Sequence, residues 1–264
     1  MEQLKPETII DEKYRVIDIL GIGGMGIVYR VEQLSLNSQR ALKTIPTDKL
    51  SDNVWQRFQR EAKAACRLEH SSLVKVFDFG LLETVTPYYV MEIVQGQTLS
   101  ARVKLKGTLN LEQCLSVFIP SAFGLAYAHD KKIIHRDMKP ANIMFSEDNN
   151  GKISEIKILD FGIAKLISDE NLTNALTKPG EVIGSPHFMS PEQSWGAKID
   201  ARSDIYSLGC CMFEALTGLP PFIAKNAVQV IMMHQNSPPP SLAQTAPDKT
   251  FSDSIEQVVR VMLA

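Results

Sequence analysis

The spacing of apolar residues changes character once along this chain, and that change constrains the fold more than any other feature. Up to Val94, apolar residues recur in short runs of strand type: Tyr14 to Leu20, Ile27 to Val31, Arg40 to Ile45, Val74 to Gly80 and Tyr88 to Ile93. Only Asp52 to Leu68 breaks the series, with the period of a helix and Asp52 as its N-cap. Past Gly96 the patterns lengthen into helices, notably Leu111 to His129, Ile205 to Leu216 and Phe251 to Leu263. Strands gathered first and helices afterwards predict an α+β architecture, since a parallel sheet would need the two to alternate. The junction falls near Gln95-Gly96. Two short strands, Ile143 to Phe145 and Ile156 to Leu159, flank an Asn149-Asn150-Gly151 turn within the helical part. Pro120 inside the Leu111 pattern predicts a kinked or split helix.

The 264 residues suffice for one large domain or two packed lobes. A net charge of -2 disfavours a nucleic-acid partner held by bulk electrostatics. Cys66, Cys114, Cys210 and Cys211 have no C-x-x-C spacing, and the last two are adjacent in an apolar run, so buried thiols in a reducing compartment are expected. The first residues lack the apolar core of a signal peptide, and no apolar run is read as a membrane span; the longest candidate, Ile205 to Leu216, is interrupted by Glu214.

Against this background a few polar stretches stand out. Gly21-Ile22-Gly23-Gly24-Met25-Gly26 lies between two strands, which excludes the strand-to-helix setting of a Rossmann fingerprint and reads as a glycine-tipped hairpin. Strand alternation puts Lys43 on the inward face with Ala41 and Ile45, while Glu61 interrupts the apolar helix stripe of Phe58, Ala65 and Leu68. Two inward charges of opposite sign predict a pairing between them, because isolated buried charges are too costly to keep. Ile133-Ile134 lead into His135-Arg136-Asp137-Met138-Lys139-Pro140-Ala141-Asn142, where the proline forbids a continuous helix and the charges suggest a working loop on a rigid scaffold. The stretch from Asp160 to Glu192 is long, irregular and rich in Gly, Pro, Ser and Thr, as functional loops often are. Ser237 to Ser241, with three prolines, reads as a rigid spacer between helices.

Together these stretches resemble the catalytic domain of eukaryotic-like (Hanks-type) serine/threonine protein kinases of the bacterial kind. The resemblance rests on His135-Arg136-Asp137-x-Lys139-x-x-Asn142, on Asp160-Phe161-Gly162, and on Gly184-Ser185-Pro186 to Ser190-Pro191-Glu192, where Ser190 replaces alanine. It covers residues 14 to 264 and implies a two-lobed protein-kinase-like fold. The small antiparallel sheet with one key helix would form an N-lobe at 10–94. A larger, mainly α-helical C-lobe at 95–264 would be truncated before the last helix. Phe188 stands where many relatives have tyrosine, and no arginine follows Leu263 to pair with Glu192.

The resemblance implies ATP and Mg²⁺ in a cleft. Leu20, Gly21, Ile22, Gly23, Gly24, Met25, Gly26, Ile27 and Val28 would form the flap over the nucleotide. Ala41 and Met144 would join Leu20 and Val28 against the adenine faces. Met91 would be the gatekeeper, with the Glu92 carbonyl and Val94 amide on the adenine edge. Lys43 would hold the α- and β-phosphates and Glu61 would fix that lysine. Asp137 would accept the substrate hydroxyl proton, Lys139 would neutralise the γ-phosphoryl group, and Asn142 and Asp160 would ligate Mg²⁺. Lys139 and Ser185 point to serine or threonine substrates, His135 reads as a packed structural imidazole, and Asp204 would anchor the catalytic loop. The implied partners are ATP and proteins bearing Ser or Thr, with regulation by phosphate at Thr173 or Thr177 beside Arg136. A homodimer through the N-lobe, a cytoplasmic location and tethering beyond Ala264 are further implications. An ATP-binding pseudokinase scaffold and a small-molecule phosphotransferase are the alternatives.

Overall fold

The computed structural model describes residues 3–24, 26–47, 50–83, 85–162 and 186–264. These divide into two units: the first holds residues up to His70 and Val74–Val94, the second Ser71–Leu73, Gln95–Gly162 and the described residues from 186 onward.

The first unit is built on a six-stranded antiparallel sheet. Its strands are β1 Ile9–Ile10, β2 Tyr14–Gly23, β3 Gly26–Gln33, β4 Ser38–Thr44, β5 Val76–Leu82 and β6 Thr86–Met91, in the spatial order β1-β2-β3-β4-β6-β5. Alternation on β2 and β3 buries Tyr14, Val16, Ile27, Tyr29 and Val31, which pack with Leu42, Tyr88 and Val90. Helix α1, Asp52–Ala65, buries Val54, Phe58, Ala62 and Ala65. Its N-cap is Ser51 rather than Asp52: the Ser51 hydroxyl accepts from the Val54 amide at 3.3 Å, and Asp52 becomes the acidic residue of the first turn.

Gly26 opens β3 with φ +121°, and a Cβ there would stand 1.8 Å from the Thr44 carbonyl oxygen. Only glycine fits. Gly26→Ala is therefore expected to cost ~2 kcal/mol or more, from strained φ plus overpacking, and to lower the melting temperature by several degrees. An unchanged melting temperature would contradict this packing.

The second unit begins with β7 Gln97–Thr98 and helices α2 Leu99–Lys106 and α3 Leu111–Asp130. A 3-10 turn at Pro140–Asn142 leads to the hairpin β8 Ile143–Glu147 and β9 Ile153–Ile158. Helices α4 Pro191–Ser194, α5 Ala201–Thr217, α6 Ala227–Asn236, α7 Leu242–Thr245 and α8 Asp253–Met262 follow. The expected split at Pro120 does not occur; α3 runs through it. Pro120 and Ser116 are half-buried, so the Ser116 carbonyl that loses its amide partner can turn to solvent. By length and composition α3 could cross a membrane. Instead it buries Cys114, Val117, Phe118, Leu125 and Ala128 as a central helix beside β9 and α5. Helix α5 is buried nearly all round, from Ser203 to Leu216.

Next to α5 the His234 ring is buried, its Nδ1 2.7 Å from the Tyr206 hydroxyl and its centroid 4.8 Å from that of Phe222. Burial, helped by His187, pushes its pKa down to about 4. In the unfolded chain the same ring titrates near ~6.5. Between those values only the unfolded state takes up the proton, so this stabilising contribution is whole above pH 6.5 and fades as the pH falls toward 4. Urea titrations at pH 7 and pH 5 are expected to differ by roughly 2 kcal/mol from this group alone. Equal midpoints would contradict the assignment.

Candidate active site

In the first unit, strand register gathers the candidate nucleotide residues on one sheet face. Val28 pairs opposite Lys43 and Ala41 opposite Met91, and Ala41 and Lys43 are two apart on β4, so all four side chains lie on the same side. Ala41, Lys43 and Met91 are buried, while Leu20 and Ile22 are exposed. A Cβ at Gly21, Gly23 or Gly24 would meet nothing, so these glycines are not required by packing. Past β6 the Glu92 amide donates to the Lys75 carbonyl at 3.0 Å and the Lys75 amide returns a bond to the Glu92 carboxylate at 2.8 Å, fixing the strand end that precedes Val94.

The expected Lys43–Glu61 pairing is not among the ion pairs of the described residues. The Glu61 carboxylate has its ion pair with Arg60, 3.5 Å away, and is a quarter exposed. The reason is rotational: the buried stripe of α1 runs through Val54, Phe58, Ala62 and Ala65, which leaves Glu61 at its border.

In the second unit the loop before β8 hangs from one buried carboxylate. Asp204, in the first turn of α5 and 1% exposed, accepts the His135 amide at 2.7 Å and the Arg136 amide at 2.8 Å; the His129 Nε2 lies 2.7 Å from it. Arg136 adopts φ +65°, a left-handed conformation held by that bond and by the Gln193 side chain, which donates to its carbonyl at 2.8 Å. His135 is fully buried. Its Nδ1 accepts the Asp137 amide at 3.3 Å, so its Nε2–H donates to the Leu159 carbonyl at 2.7 Å. Burial lowers its pKa against the pull of Asp204, keeping the ring neutral. With both nitrogens engaged it is a packing and positioning imidazole.

That scaffold presents Asp137. Its carboxylate lies 2.8 Å from the Lys139 ammonium and accepts from the Asn142 amide nitrogen at 3.2 Å, and the same nitrogen donates to the Asp137 carbonyl at 2.8 Å. Because the Asn142 nitrogen is committed to Asp137, its amide oxygen points elsewhere. Asp160 follows β9 with φ +54°, and its segment is tied back by the Leu159 amide on the Asn142 carbonyl and the Gly162 amide on the His135 carbonyl, both 2.8 Å. An amide oxygen and a carboxylate are hard donors suited to Mg²⁺, which needs few protein ligands. Among the described residues no group of three or more His, Cys, Asp or Glu could form an all-protein metal cage. Beside Lys139 and Pro140 opens a cavity of about 310 Å³, bordered by Ser100, His187, Phe188 and Glu214. Burial raises the Glu214 pKa.

A family model described as a protein kinase domain matches residues 14–264. The chain is a protein kinase domain. Among curated relatives it is 40% identical over 248 residues to serine/threonine-protein kinase pkn3 of Myxococcus xanthus, covering 94% of this chain and 45% of that one. It is 39% identical over 259 residues to serine/threonine-protein kinase PknB of Mycobacterium tuberculosis, covering 97% and 40%. Among solved structures, the PknI kinase domain of Mycobacterium tuberculosis matches with a TM-score of 0.76 and 26% identity over 99% of this chain and 92% of that one. The kinase domain is thus of the bacterial serine/threonine type, and it spans less than half the length of the curated relatives named here.

Within the kinase domain, Asp137, Lys139 and Asn142 come together directly. Met25, Thr173, Thr177 and Ser185 lie outside the described residues. Two supports escaped sequence reading. Gln193 had a signal, since Ser190-Pro191-Glu192-Gln193 is a capping box, both halves of which form. The Leu159 carbonyl under His135 had none. Glu192, for which an arginine was expected, accepts a bond from the Ser203 hydroxyl. The four cysteines are free; Cys114, Cys210 and Cys211 are buried as expected, Cys66 only partly.

Proposed function

We propose that the chain transfers the γ-phosphoryl group of ATP to serine or threonine hydroxyls of proteins. The observation that carries this reading is the Asp137–Lys139–Asn142 arrangement suspended from Asp204. A carboxylate with a fixed backbone, an ammonium 2.8 Å away and an amide that holds it are what is needed to align a hydroxyl. Phosphoryl transfer asks little covalent chemistry of the protein, so positioning and charge neutralisation do most of the work. Asp137 orients the attacking hydroxyl and takes its proton. Lys139 offsets charge on the transferring group, and Lys43 holds the α- and β-phosphates. The open space beside Gly21, Gly23 and Gly24 would let phosphate oxygens approach the main chain closely. Asn142 and Asp160 would hold Mg²⁺, which when bound neutralises the phosphate oxygens. Glu61 retains its assignment as the residue that fixes Lys43, reached by a rotation of α1. The adenine would lie among Leu20, Val28, Ala41 and Met144, with Met91 as the gatekeeper and the adenine edge bonded by the Glu92 carbonyl and the Val94 amide. The substrate hydroxyl would reach Asp137 from the cavity beside Lys139.

All the residues this chemistry needs are present, which leaves the scaffold reading unfavoured. The free thiols and the ATP requirement support a cytoplasmic setting. Phosphate on Thr173 or Thr177, paired with Arg136, would activate the domain. Pairing of two copies through the N-lobe is part of the same reading.

Radiolabel transfer from γ-labelled ATP to a generic basic protein, with Asp160→Asn as control, tests the proposal. Label on serine or threonine in the wild type and none in the control is expected. Label on tyrosine alone, or equal labelling by the control, would overturn it.

A further inference from the structure

We propose that His234 is a positioning residue for the protein substrate, holding the lip of the cavity through which a hydroxyl reaches Asp137. This rests on the transfer reaction proposed above. The lip is the 3-10 turn Pro186–Phe188, and its His187 and Phe188 border the cavity beside Lys139. None of the three turn residues is buried, so their own packing fixes the turn only weakly. It is tied from the helical side instead. The His187 Nδ1 lies 2.9 Å from the Phe222 carbonyl, and α6 packs against the turn and brings His234 with it. His234 is 4% exposed, with its ring against those of Tyr206 and Phe222.

The polar surroundings of this ring are one-sided. Its Nδ1 is 2.7 Å from the Tyr206 hydroxyl, whereas its Nε2 is buried without a hydrogen-bond partner. The groups of the turn that act on the ring are the main-chain carbonyls of His187 and Pro186. Carbonyls only accept, so Nε2 carries the proton and Nδ1 accepts from the Tyr206 hydroxyl. What results is a buried N–H directed at the lip and short of a completed bond. An unmade buried bond is costly, and such a group calls for a reason. A substrate chain that enters the cavity and presses the turn onto α6 supplies one by closing the bond, as hydrogen bonds that are long in a free enzyme tighten in its working complex. Closure favours the protein substrate and not ATP. Tyr206, which sets the tautomer, stands two residues after Asp204 on α5. The lip and the Asp137 loop thereby take their positions from the same helix.

Steady-state transfer to a generic basic protein, with KM measured separately for protein and for ATP, tests this. His234→Leu is expected to raise KM for the protein about five- to tenfold, the worth of one hydrogen bond, with KM for ATP unchanged. His234→Gln offers an oxygen to the Tyr206 hydroxyl and an N–H to the turn, and should recover most of that loss. The double variant Tyr206→Phe/His234→Leu removes both polar partners together, so it should keep the wild-type melting temperature while its KM for the protein stays raised. A protein KM that neither leucine variant moves, a KM for ATP that rises in step, or a glutamine variant no better than leucine would each overturn the inference. With an active wild type these results would leave the proposed function standing. A wild type that transfers no label would take both down.

Discussion

Asp204→Ala is expected to remove most of the folding stability of the second unit. The carboxylate is buried and satisfies two main-chain amides, those of His135 and Arg136, with the His129 ring against it. Truncation would leave those donors buried without acceptors, at ~1–3 kcal/mol each. The left-handed Arg136 backbone would lose one of its two holds, adding strain. A total loss of ~3–5 kcal/mol is comparable with removing one partner of a buried ion pair and is a large share of a domain's net stability. Asp204→Asn keeps one acceptor oxygen and should lose less. Urea unfolding followed by circular dichroism measures both, and a wild-type midpoint for Asp204→Ala would contradict the scaffold described here.

Asp137→Asn is expected to spare the fold and the affinity for ATP while lowering the transfer rate by ~10²–10⁴, the usual worth of a positioned general base. The asparagine can still accept the Asn142 bond through its carbonyl oxygen, so the loop should keep its shape. It cannot take a proton, and it loses the charge that faces Lys139. The effect should therefore fall on kcat with KM for ATP nearly unchanged, since the loss is confined to the transition state. Steady-state transfer rates at saturating peptide and ATP give the comparison. A variant with wild-type kcat would remove Asp137 from the proposed role.

How far the sequence foretold this structure depends on the physical origin of each element. The strands β2 to β6 and helices α3, α5 and α8 were legible because burial of one face or of a whole element imposes a period on the residues. The two-residue strands β1 and β7 were not, since they exist only through pairing with β2 and β8. Helices α2, α6 and α7 are short, and caps such as Thr98, Asn226 and Ser241 define them more than any apolar period does. At the site, the residue types of the Asp137 loop were plain from composition and order. The carboxylate that suspends it lies on another helix, so its anchoring role was readable only through the family resemblance and not from any spacing in the chain. The pairing of Lys43 with Glu61 was inferred from two separate faces; the stripe read from 58, 61, 65 and 68 shares Phe58 and Ala65 with the buried positions 54, 58, 62 and 65 but puts 61 rather than 62 inward. Those two neighbouring positions stand about 100° apart around the axis.

The central proposal is that Lys43 and Asp160 act on the phosphates of the same nucleotide. A double-mutant cycle on the affinity for ATP with Mg²⁺, read by titration calorimetry for wild type, Lys43→Met, Asp160→Asn and the double variant, tests it most directly. Each single substitution is predicted to weaken binding, and the double variant to lose less than the two losses combined, because both remove support from one ligand. Strictly additive losses, or wild-type affinity in either single variant, would contradict it.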